Sequence, residues 1–131
     1  MFKTILVPTD GSEFAQRAED VAIDIAAKYG GKIIGTYVID DKLIYPYEVL
    51  EEEGRSILKN LSNKAKKEGV VVDEILVVGN PGKDLVIITR RMKPDLVVIG
   101  THSKKGLEKI LLGSVAENIL KSVEPPVLLV K

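Results

Sequence analysis

Residues Gly100 to Ser114 read GTHSKKGLEKILLGS and connect the apolar run Leu96 to Ile99 with a helix-like segment, Val115 to Ser122. A strand that empties into a glycine and ends on Gly-Ser at a helix start is suited to holding an anion. The first helical turn presents unpaired N–H groups and the positive end of the helix dipole. Gly100 and Gly113 have no Cβ, so left-handed dihedrals and close approach to a ligand are open to them. Ser114 can add a hydroxyl, and Lys104, Lys105 and Lys109 can balance phosphate charge through flexible ammonium groups. The same letters also describe an ordinary long strand-to-helix loop with turn glycines and solvated lysines, and both readings stand on this stretch alone.

The second stretch with chemical potential is PTDGSE, Pro8 to Glu13. A carboxylate at Asp10 would repel phosphate, but it can accept hydrogen bonds from ribose hydroxyls or hold a cation. That suits the nucleoside end of a nucleotide. Capping of the following helix, together with Ser12, accounts for Asp10 equally well. Pro8 fixes φ, removes an N–H and stops a strand. His102 is the sole histidine; beside a phosphate it would be a general base or phosphate donor, and otherwise it is a surface-loop side chain.

Both stretches need a scaffold, and the chain supplies an alternating one. Five runs read as strands: Thr4 to Val7, Lys32 to Ile39, Val71 to Val78, Leu96 to Ile99 and Val127 to Val130. Most are continuously apolar, as strands covered on both faces should be. Four helical patterns lie between them. The first carries Phe14, Ala18, Val21, Ala22, Ile25, Ala26 and Tyr29 at three- and four-residue spacing, with Ser12 as N-cap and Gly30-Gly31 as its stop. The second turns Leu50, Ile57, Leu58, Leu61 and Ala65 inward and stops at Gly69. The third runs from about Gly82 to Met92 before Pro94, and the fourth follows Gly113 and ends before Pro125-Pro126. Such alternation predicts right-handed crossovers and an open parallel α/β sheet with helices on both faces. Ligands of such sheets sit beyond the carboxyl ends of the strands, where strand order reverses, so the loops after the first and fourth strands are the expected site.

Composition narrows the function classes. At 131 residues the chain fits one domain, 1–131, without staples. Nineteen basic and nineteen acidic residues cancel, so no overall field draws the protein to nucleic acid or an anionic membrane. Cysteine is absent, which excludes disulfides and thiolate chemistry. The opening MFKTILVPTDG is too short an apolar run for a signal peptide, and no run reaches membrane-spanning length, so a cytoplasmic protein is expected.

ILVPTDGSE near the start, YVID after the second strand and DLVVIGTHSKKGLEKILLGSVAENILKSVEPPVLLVK at the end resemble the universal stress protein family over essentially the whole chain. The nucleotide-binding branch of that family has a Rossmann-like sheet of five parallel strands and binds ATP through G-x2-G-x9-G-[ST]. Gly100 matches the first glycine, and Gly113-Ser114 match the last two positions at the family spacing. Position 103 departs, with Ser103 where the family has Gly. The resemblance implies that Pro8, Thr9 and Asp10 line the adenosine side and that the Val38 backbone faces the adenine edge. It puts Gly100, with His102 and Ser103 beside it, near the ribose and α-phosphate. Gly113, Ser114 and Val115 would then offer N–H groups to the β- and γ-phosphates, with Mg²⁺ or Mn²⁺ held through those phosphates. It further implies strand order 3-2-1-4-5 and a homodimer paired through the C-terminal strand.

The expected function is therefore an ATP-binding regulatory protein of the stress response, with at most slow hydrolysis. No G-x-x-x-x-G-K-[ST] is present, and no set of residues for positioning a nucleophilic water is recognisable. A response-regulator phosphoacceptor would need carboxylates clustered after the first and third strands, whereas the third ends in Gly79-Asn80. A dimeric interaction protein of the same fold that has lost its nucleotide is the alternative, with Ser103 as its best argument.

Overall fold

The computed structural model describes residues 1–102 and 112–131. Ser103, Lys104, Lys105 and Lys109, singled out above, lie outside the described residues. Strands β1 (Thr4–Pro8), β2 (Lys32–Asp40), β3 (Val72–Gly79), β4 (Leu96–Gly100) and β5 (Val127–Val130) alternate with helices α1 (Glu13–Tyr29), α2 (Tyr47–Lys67), α3 (Pro81–Met92) and α4 (Ser114–Ser122). All strand pairings are parallel, and the order across the sheet is β3-β2-β1-β4-β5. The open, doubly covered sheet expected from the alternation is what forms.

Side-chain alternation along each strand sorts the core into two layers. Ile5, Val7, Ile33 and Val98 pack with Ala18, Ala22, Ile23 and Ala26 of α1 and Leu61 and Ala65 of α2. Leu6, Ile34, Val97 and Ile99 pack with Leu85 and Val86 of α3 and Ala116 and Ile119 of α4. Helices α1 and α2 therefore cover one face, and α3 and α4 the other. The edge strands depart from the doubly buried pattern: Asp73, Glu74 and Val78 of β3 and Leu128 of β5 are exposed. Both faces of these strands still carry packed residues, Val72 and Val130 on one and Ile75, Val127 and Leu129 on the other, so the coverage is partial on each face.

The helix signals act as their chemistry predicts. The Ser12 hydroxyl accepts from the Ala15 N–H and caps α1, and Gly30, at φ 64°, closes it in the left-handed region. Asn80 caps α3 by accepting from Lys83 N–H at 3.0 Å, ahead of Pro81. Gly113 begins α4 with no capping side chain.

One pH dependence follows from the α2-facing layer. Burial pushes the Tyr37 phenol above its ordinary range, and the negative charges of Glu53 and Asp10 push it further the same way. At Lys64 burial is the largest influence and lowers the ammonium, yet hydrogen bonds to Asp20 and Glu19 and their charges hold it above the ordinary lysine range. Both groups titrate higher folded than unfolded, so their stabilisation is complete below about pH 10 and is lost as pH rises through the folded values. Urea midpoints should therefore fall from pH 9 to 11, less steeply in Tyr37→Phe than in wild type; equal slopes would remove Tyr37 from the account.

Candidate functional site

The loop after β1 is shaped by its own side chains. Thr9 N–H donates to the Thr36 carbonyl at 2.9 Å, carrying the β1–β2 ladder one residue past the strand. Asp10 Oδ1 accepts from Ser12 N–H at 2.9 Å, which turns the chain into α1. Gly11, at φ 78°, takes the one left-handed position in this loop, and a Cβ there would meet Ile57 Cδ1 at 2.8 Å. Of the two roles open to Asp10, the turn into the helix is formed, while the cap itself belongs to Ser12.

The end of β4 and the start of α4 are held by three constraints. Thr101 N–H donates to the Val130 carbonyl at 2.9 Å, and Gly113 N–H donates to the Thr101 carbonyl at 2.7 Å. The second bond pins the amino terminus of α4 against the end of β4. The third constraint comes from α1. A Cβ on Gly100 would lie 2.9 Å from the Phe14 backbone carbon and oxygen and 3.1 Å from Ala15 N. Gly100 is thus required for helix-on-strand packing, and neither it nor Gly113, at φ −65°, occupies the left-handed region. The expectation of left-handed dihedrals at these two glycines is corrected accordingly.

His102 is half-buried. Its ring lies 5.0 Å from that of Phe14, and Nδ1 is 3.1 Å from Thr101 Oγ1. The Arg17 guanidinium stands 5.4 Å from the same Phe14 ring. A solvated loop histidine does not describe this environment.

Strand order brings those of the expected residues that are described to one end of the sheet. Pro8 and Thr9 are buried, Asp10 and Val38 are half-buried, and β1 lies between β2 and β4. Gly100 ends β4 with His102 two residues beyond it, and Gly113 caps α4 ahead of Ser114 and Val115. Thr9 differs from its companions because its hydroxyl turns away into the α1–α2 layer and donates to Glu19 Oε2 at 2.5 Å. Glu19 is the residue that sequence reasoning misses. It is 2% exposed and pairs with Lys64 at 2.8 Å. Its signal is its helical position, one turn beyond Ala15 and one turn before Ile23, on the face that packs inward.

One other feature lies away from these residues. A cavity of about 560 Å³ lies at the opposite end of the sheet, lined by Lys3, Gly30, Gly31, Lys32 and Val70 among others. Its Lys3 ammonium already donates to the Tyr29 carbonyl at 2.8 Å, at the carboxyl end of α1. A helix carboxyl end disfavours anions, so the carboxyl ends of the strands remain the better candidate. Among the described residues, no three His, Cys, Asp or Glu side chains converge as metal ligands would, and no helix is long and apolar enough to cross a membrane.

The order β3-β2-β1-β4-β5 is the Rossmann order without its sixth strand, and it reverses between β1 and β4. This defines a doubly wound α/β protein whose switch point lies between β1 and β4. The family model for the universal stress protein family matches residues 1–131, and the chain belongs to that family. Universal stress protein MJ0531 of Methanocaldococcus jannaschii is 37% identical over 144 residues, covering 100% of this chain and 83% of the relative. The solved structure of MJ0577, described as a hypothetical protein given a structure-based assignment of biochemical function, superimposes with a TM-score of 0.91 at 35% identity. It covers 100% of this chain and 96% of that one. A universal stress protein solved in complex with cAMP is 31% identical with a TM-score of 0.79, covering 98% of this chain and 97% of the other.

Proposed function

We propose that the protein is an ATP-binding regulatory protein of the stress response. It takes the nucleotide at the carboxyl ends of β1 and β4, with Mg²⁺ or Mn²⁺ held through the phosphates. The observation that carries this reading is the amino terminus of α4. Gly113 contributes no capping side chain, its N–H is tied to Thr101, and the next turn begins with Ser114 and Val115 beside the end of β4. Uncapped N–H groups and a helix dipole are suited to phosphate oxygens. Asp10, Pro8 and the Val38 backbone then fall to the nucleoside, and Gly100, His102 and Ser103 to the ribose and α-phosphate side. The cAMP complex of a relative at 31% identity supports adenine nucleotides as the ligand class.

Two measurements test it. Mass spectrometry after denaturation should find an adenine nucleotide copurifying with the protein, and calorimetric titration should show ATP binding that is tightened by Mg²⁺ or Mn²⁺. No binding at millimolar ATP would leave the alternative, a nucleotide-independent dimeric interaction protein.

Under either reading the partner is a second copy, through β5. This strand is a sheet edge, and unpaired edges invite pairing. Val97 N–H donates to the Pro126 carbonyl and Thr101 N–H to the Val130 carbonyl. Residues 126, 128 and 130 therefore face β4, and Val127 and Leu129 turn their N–H groups outward. Light scattering should show a dimer at micromolar concentration. Leu129→Pro should reduce it to monomer by removing an outward donor, while Leu128→Pro would break the ladder to β4 instead. A monomeric wild type would remove the proposed interface.

A further inference from the structure

Glu19 is a carboxylate with 2% exposure in a layer otherwise made of aliphatic side chains. Burying a charge there is costly unless it is paired and fully hydrogen-bonded. Both of its oxygens are used. Oε1 pairs with Lys64 Nζ of α2 at 2.8 Å, and Oε2 accepts from Thr9 Oγ1 at 2.5 Å. The Thr9 hydroxyl in turn accepts from Gly11 N–H at 3.2 Å. Gly11 is the left-handed residue of the loop and packs on Ile57 of α2. One residue on either side of Gly11 stand Asp10 and Ser12, joined by their own hydrogen bond.

We propose that Glu19, anchored by Lys64, is a positioning residue that sets the conformation of the Thr9 to Ser12 loop and so orients Asp10 for the nucleoside. The assignment of Asp10 to a nucleoside rests on the proposed function; the positioning of the loop does not. A hydroxyl can rotate, and Thr9 could donate to a neighbouring carbonyl if nothing directed it. A buried anion removes that freedom, because the hydroxyl must point its proton at Oε2 and leave a lone pair for Gly11. The ion pair constrains Glu19 as Glu19 constrains Thr9. Lys64 is shared with the exposed Asp20 at 2.8 Å, so it is fixed at two points and holds the carboxylate in register. The three groups form a rigid link from the last turn of α2 to the tip of the β1–α1 loop. Glu19 and Lys64 line a cleft of about 390 Å³ that includes Gly11, Ile57 and Asn60.

The test uses two readouts, ATP affinity by calorimetry and hydrogen exchange of the Gly11 amide without nucleotide. Glu19→Leu, which keeps the volume and removes both acceptors, should speed Gly11 exchange and weaken ATP about tenfold, equivalent to roughly 1.4 kcal/mol. Glu19→Gln retains an oxygen for Thr9 but loses the charge that Lys64 anchors, and should fall between Glu19→Leu and wild type in both. Val70→Ala, in the same layer at the far end of the sheet, controls for lost stability: it should lower Tm while leaving affinity and Gly11 exchange at wild-type values. Glu19→Leu with wild-type Gly11 exchange and affinity would overturn the proposal, as would Val70→Ala reproducing both changes. If the wild type binds no nucleotide, the functional reading fails by itself, and the exchange comparison still decides whether Glu19 sets the loop.

Discussion

Gly100→Ala should destabilise the protein by about 1–3 kcal/mol, the usual cost of forcing a methyl group into a packed interior. It should also weaken nucleotide binding. The new Cβ would meet backbone atoms of Phe14 and Ala15 at 2.9 to 3.1 Å, and backbone cannot rotate aside as a side-chain tip can. Relief requires the first turn of α1 to move outward. That turn carries Ser12, whose N–H holds Asp10, and Phe14, which supports the His102 ring. Stability and affinity should therefore fall together. Gly82→Ala is the contrast, since its nearest neighbours would stand at 3.5 and 3.6 Å; there alanine should be neutral or slightly stabilising through helix propensity. Thermal unfolding and calorimetry on both variants check the pair of outcomes. A Gly100→Ala protein with wild-type Tm would mean that the strand-to-helix contact is not tight.

The second large effect is expected at Asp10. Asp10→Ala removes a charged acceptor, and if ribose hydroxyls donate to it the loss is roughly 1.5–3 kcal/mol in ATP affinity, or about one to two powers of ten. Some of that loss has another origin, because the same carboxylate accepts from Ser12 N–H. Asp10→Asn separates the two contributions. Its amide oxygen can still accept from Ser12, so the loop turn survives while the charge is lost. An intermediate affinity in Asp10→Asn is the expected result. Wild-type affinity in both folded variants would assign Asp10 to the turn alone.

These two positions also show how far the sequence can be read. Glycine at 100 is visible as a constraint, but the letter does not say whether backbone conformation or a neighbour's approach imposes it. The φ values decide for the neighbour, since the left-handed glycines among the described residues are Gly11, Gly30 and Gly69. Strands and helix faces are legible because periodicity encodes them directly. Ala18, Ala22 and Ala26 of α1 and Leu58, Leu61 and Ala65 of α2 are buried as their spacing requires. Glu19 is missed because a carboxylate is normally assigned to the solvent face, and only its partners, ten and forty-five positions along the chain, show why it is tolerated inside. The exposure of Asp73 and Glu74 follows from β3 being an edge, which is a property of strand order rather than of that segment's own letters.

The position of β1 in the middle of the sheet has a consequence for how the protein is made. Ile5 and Leu6 pair on one side with Ile33 and Ile34, and on the other with Leu96 and Val97. β1 therefore has to wait for a segment 91 residues later in the chain before both its edges are closed. Until then a nascent β1–β2–β3 sheet presents an open apolar margin, the state most exposed to wrong pairing and to chaperone capture. Such distant parallel pairings also slow folding, since loop closure is lost in entropy before the contact is gained. Completion of β4 is thus the step at which synthesis and folding meet. The same step sets the carboxyl ends of β1 and β4 side by side, so the nucleotide site proposed there cannot form before β4 has been made.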